Sequence, residues 1–174
     1  MTAAAQAAAN GNVSWLVAAG WAVTVLVAAL TLTVNGRRIE RQRRRELYAG
    51  AWAAVQAYKE FAFAIRRRNH KEPEQERVRI SEALREVQKD LAYYEALIGK
   101  ERSGKVAGNY RTLVAKTREI AGGLMRDAWA SDPITRDDQM NMPDVAEALA
   151  PLKTFETAYL DAMANDLACW KVRR

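Results

Sequence analysis

The chain has 174 residues, 28% of them charged, a net charge of +6 and one cysteine, Cys169. That length admits one ordinary domain plus an appendage, and a lone cysteine excludes an internal disulfide framework. Residues 1–36 contain no Lys, Arg, Asp, Glu or His, so all 27 basic and 21 acidic side chains fall in residues 37–174.

Residues 1–12 form a short Ala-rich tail, read as extracytoplasmic and too featureless to fold. Val13 to Val34 follow as 22 residues with no charge, among them four Leu, six Val and five Ala. At about 1.5 Å per residue such a helix reaches roughly 33 Å, enough for a hydrocarbon core of about 30 Å. A cleaved signal peptide is disfavoured. It requires a basic n-region and a shorter apolar core, whereas this segment is preceded by no charge and followed at once by arginines. Ala18 and Ala22 share a helical face in small-xxx-small spacing, which suits a neighbouring transmembrane helix, although Ala is common throughout the chain.

Residues 35–46 form a basic juxtamembrane segment. Six arginines, Arg37, Arg38, Arg41, Arg43, Arg44 and Arg45, stand against Glu40 and Glu46. Basic residues after the span and none before it place the C-terminal part in the cytoplasm. Beside the bilayer the same arginines meet anionic headgroups at about 1 kcal/mol each. Nucleic acid, which would compete with lipid for them, is not expected as a partner.

Four amphipathic helices are read after the span, and residues 47–174 form the bundle. The first runs from about Arg38 to Arg68, with Leu47, Ala51, Val55, Tyr58, Ala62 and Ile65 on one side. Asn35-Gly36 marks the place where it either breaks from the span or continues it. A second basic cluster, Arg66-Arg67-Arg68 with His70 and Lys71, reads as a solvated connection. The second helix starts at Pro73, whose missing N–H suits a first turn, and carries the seam Ile80, Leu84, Val87, Leu91, Tyr94, Ile98. The third follows Ser103-Gly104 to Ala128, with Gly122-Gly123 as an interruption or a close contact. The fourth, Pro143 to Trp170, holds Pro151, which predicts a kink or a restart. No segment alternates as a strand does. The expected fold is all-α: a single N-terminal transmembrane helix at 13–34, followed by a cytoplasmic antiparallel four-helix bundle.

Catalytic chemistry finds little footing in these residues. His70 is the one histidine, so a His-based triad has a single candidate, set beside an arginine run. No Glu-x-x-His pair, calcium loop, P-loop or dinucleotide fingerprint occurs. No cofactor, metal or small-molecule substrate is therefore expected. The connection Ser131–Met142 exceeds the usual two to eight residues between bundle helices. It mixes Asp137 and Asp138 with Ile134, Met140 and Met142, a set suited to adaptable contact with a protein partner. The sequence thus points to a single-pass protein of the cell (inner) membrane, N-terminus outside, acting as a non-enzymatic interaction module. A self-associating structural scaffold is the alternative, and an enzyme with an unrecognised carboxylate site is a third reading.

Overall fold

The computed structural model describes the backbone of residues 3–101 and 103–172, and the side chains of residue 27, 29–101 and 103–168. Among these residues there are five α-helices and no strand. They are α1 (Ala3–Arg66), α2 (Pro73–Gly99), α3 (Gly104–Ala130), α4 (Pro143–Leu149) and α5 (Leu152–Val172). The chain divides into two compact units, residues 1–43 and 44–174.

Within the first unit α1 begins at Ala3, inside the tail expected to be unstructured, and passes Asn35-Gly36 without a break. Gly36 keeps a negative φ, so its freedom to enter the left-handed region is not used there. The expected span Val13–Val34 lies for the most part outside the residues whose side chains are described. Among the described residues, no helix is long and apolar enough to cross a membrane.

The second unit is a helical bundle. Its helices alternate in direction, as contact order shows. Tyr48 meets Asp166 and Gln56 meets Glu156, so α5 descends as α1 climbs. Tyr110 meets Ala51 and Arg68 meets Ala128, so α3 runs parallel to α1. α3 also packs against α5, α2 and α4. In the core the expected α1 stripe Leu47, Ala51, Val55, Tyr58, Ala62 and Ile65 meets Ile80, Leu91 and Ile98 of α2, while Leu84, Val87 and Tyr94 of the expected α2 seam are only partly buried against it. From α3 come Val106, Tyr110, Leu113, Val114, Ala121 and Met125, and from α5 Leu152 and Tyr159.

Helix boundaries follow local chemistry. Pro73 and Pro143 sit in first turns, where no N–H is needed. Ser103 caps α3 by accepting from the Val106 N–H. Pro151 divides the expected fourth helix in two, because its ring cannot continue the ladder begun in α4. Gly122-Gly123 causes no interruption: α3 runs through it, and a Cβ at Gly122 would meet only the Tyr58 hydroxyl at 3.7 Å.

The glycine that matters for packing is Gly50. A Cβ there would stand 2.7 Å from Cζ and 2.9 Å from Cε1 of Tyr94, which seats α2 against α1. Gly50→Ala is expected to destabilise the fold by about 1–2 kcal/mol, because overpacking outweighs a helix-propensity gain of up to about 1 kcal/mol. Gly108→Ala, where a Cβ meets nothing within 4 Å, should stabilise by about 0.5–1 kcal/mol. Denaturant melts of both variants check this, and equal stabilisation by the two would mean Tyr94 is not seated on Gly50.

Candidate functional site

Three groups of residues stand out, and the first is the arginine segment. Arg37 and Arg38 are exposed and Arg41 is half-buried, with no acceptor for its enclosed Nε. Arg43 makes a two-pronged pair with Glu40, Nε to Oε2 at 2.9 Å and Nη2 to Oε1 at 2.9 Å. Arg45 is exposed. The collar expected to face lipid as one set of six is therefore not uniform.

Arg44 departs from it altogether. Its side chain is 8% exposed, with Nη2 at 3.1 Å from Glu101 Oε2 and Nη1 at 3.3 Å from Asp166 Oδ2. The expectation of a lipid contact is corrected here: a guanidinium held between two carboxylates inside the bundle has its charge met by protein. Burying three ionised groups is costly unless each is paired, and this node ties α1, the end of α2 and α5 together. Tyr48 adds to it by donating its hydroxyl to Asp166 Oδ2 at 2.9 Å. Tyr159 in turn donates to the Tyr48 carbonyl at 3.0 Å. Trp52 and Tyr110 flank the Tyr159 ring at 6.5 Å and 5.4 Å. Burial, and for Tyr48 the Asp166 carboxylate as well, holds the Tyr48, Tyr110 and Tyr159 hydroxyls above the usual tyrosine range. The sequence held no signal for Glu101 or Asp166 as partners of Arg44, since long-range pairing has no periodicity.

The third group is the connection Ser131–Met142 and the end of α1 that holds it. The cluster Arg66-Arg67-Arg68, expected to be solvated, does the holding. Arg68 donates through Nη1 to the carbonyls of Ile65 and Ala128, at 2.9 and 2.8 Å, and through Nη2 to Ser131. A cation bonded to the last carbonyls of α1 and α3 also complements both helix dipoles, and its plane lies 5.2 Å from the Trp129 ring. Arg67 donates to the Met140 carbonyl at 2.9 Å, and the Ile134 N–H donates to the Arg66 carbonyl at 2.8 Å.

Of the residues expected to form a partner loop, Met142 is buried and Ile134 is half-buried against the core. Asp137, Asp138 and Met140 stay exposed. Asp137 to Gln139 form a short 3-10 turn, and Asp138 pairs with Arg136. The fastened loop walls a cleft of about 430 Å³ lined by Arg66, Asp132, Pro133, Ile134, Gln139, Asn141, Met142 and Asp144. Sequence reasoning found the loop by its length but not its fastening, because arginines at a helix end look the same whether solvated or capping.

No family model, curated protein or solved structure matches the chain.

Proposed function

We propose that the chain is a membrane-anchored helical interaction module, held by a transmembrane helix at residues 13–34 with the bundle in the cytoplasm. One observation carries the anchor. Val27, Leu30 and Val34 on one side of α1, and Leu32 and Ile39 on the other, are 45–73% exposed. Apolar side chains on opposite sides of one helix, covered by no protein, are suited to lipid. Two of its polar groups are satisfied within the helix: Thr31 and Thr33 donate their hydroxyls to the carbonyls of Val27 and Leu30, both at 2.8 Å. The arginines that follow supply the inside-facing charge.

The interaction half of the proposal rests on the loop at 131–142. It is longer than the helix connection requires, it is fixed to the end of α1 by three bonds, and it presents exposed Met140 and Asp137 beside a preformed cleft. Preorganisation of this kind lowers the entropic cost of docking a partner.

The full-length protein should stay in the membrane pellet through alkaline carbonate extraction. Protease added to intact cells should leave the bundle whole. Release by carbonate would refute the anchor, and digestion of the bundle from outside would refute the orientation.

A further inference from the structure

We propose that Arg37, Arg38 and Arg41 form a one-sided phosphate-binding face for the headgroup of an anionic phospholipid bearing a phosphomonoester. This inference rests on the membrane-anchored reading above and goes on to specify the lipid.

The face is set by helical geometry. At about 100° per residue, Arg38 and Arg41 fall within roughly a 100° arc of Arg37, and Arg37 and Arg41 are one turn, about 6 Å, apart. The opposite side of the same stretch carries no unspent charge. Ile39 lies there, 70% exposed, and Arg43 is engaged in its two-pronged pair with Glu40. Arg44, next in the run, is withdrawn into its pairs with Glu101 and Asp166. Six arginines that would form a uniform belt are thereby reduced to a directional patch, with exposed Arg45 on the same side but about 12 Å along the helix axis from Arg37. Arg41 itself is half-buried, so it meets a headgroup through the part of its side chain that stays exposed.

A directional patch distinguishes headgroups by how many acceptors they present on one side. A phosphomonoester offers three terminal oxygens and a charge of about −1.5 to −2 near neutral pH, so each of three guanidinium groups finds an oxygen. A phosphodiester offers two terminal oxygens and a single charge, leaving one arginine without a partner on the same lipid. The apolar girdle that ends at Val34 places the acyl chains of such a lipid next to the arginines, so the phosphate is a lipid's rather than a free ion's.

The test is native mass spectrometry of the full-length protein in detergent, titrated with dioleoyl phosphatidate or dioleoyl phosphatidylglycerol. The unaltered protein should retain phosphatidate with about tenfold or greater preference. The triple variant Arg37→Gln/Arg38→Gln/Arg41→Gln should lose that preference, whereas Arg43→Gln should keep it. Equal retention of the two lipids by the unaltered protein overturns the proposal. So does a preference that survives the triple substitution or disappears with Arg43→Gln. Carbonate extraction reads the anchor independently, so a membrane-embedded protein without lipid preference sinks this inference alone.

Discussion

Replacing Arg44 by methionine is expected to lower the unfolding free energy by about 3–5 kcal/mol, the cost of breaking a buried ion pair from one side. The loss is large because of what stays behind. Without the guanidinium, the carboxylates of Glu101 and Asp166, whose side chains are 9% and 18% exposed, lose the cation that Arg44 places between them. Tyr48 still donates to Asp166, but a neutral hydroxyl does not offset a charge. Lysine should rescue poorly, since its compact ammonium cannot reproduce a planar fork that reaches Glu101 with one nitrogen and Asp166 with another. Removing both sides of one pair, as in Arg44→Met with Asp166→Leu, should recover part of the loss, because no ionised Asp166 is then left to strand. Denaturant unfolding of the four proteins measures all of this. A single variant within about 1 kcal/mol of the parent would mean that the node is solvated.

The same residue shows where sequence reading stopped. Charge composition placed the start of the bundle at Leu47, after the arginine run, whereas the compact unit begins at Arg44. Arg44 looks like its neighbours in the sequence, and only the approach of Glu101 and Asp166 separates it from them. A fragment beginning at Leu47 would therefore lack the cation of this node.

Elements with local causes were legible. Pro73 and Ser103-Gly104 gave the starts of α2 and α3, and of the α2 seam Ile80, Leu91 and Ile98 are buried while Leu84, Val87 and Tyr94 are half-buried against the core. Pro151 predicted a kink or a restart, and a restart is what occurs. Glycine was a poorer guide. Gly122-Gly123 lies inside an unbroken helix, because a propensity cost of about 1 kcal/mol each is readily outweighed by the buried side chains of α3. Gly50 gave no warning that it seats Tyr94, since close approach depends on a helix distant in sequence. The loop at 131–142 was found by its length, but its anchoring to Arg66, Arg67 and Arg68 was not, because hydrogen bonds from side chain to backbone leave no pattern in composition.

Stability should also fall steeply above about pH 10, and three tyrosines should set the slope. Tyr48, Tyr110 and Tyr159 are fully buried, and burial raises the hydroxyl of each above its ordinary range. In the unfolded chain the same groups ionise near pH 10. Above that pH the folded state binds more protons than the unfolded state, so alkali favours unfolding. The stabilisation is complete below about pH 10 and is lost as pH climbs from there towards the raised folded values, at about 1.4 kcal/mol per pH unit for each tyrosine. Three such groups give about 4 kcal/mol per unit, enough to unfold a domain of ordinary stability within about two to three units. Tyr110 is the position at which to test this, because its one hydrogen bond, to the Ala51 carbonyl, is long at 3.4 Å. Tyr110→Phe should cost less than about 1 kcal/mol at neutral pH and reduce the alkaline slope by about a third. Unfolding free energies measured at intervals between pH 9 and 11, with tyrosinate absorbance followed alongside, give both numbers. An unchanged slope in Tyr110→Phe would show that this hydroxyl already ionises in the folded bundle, and that the aromatic cluster around Tyr159 is open to water.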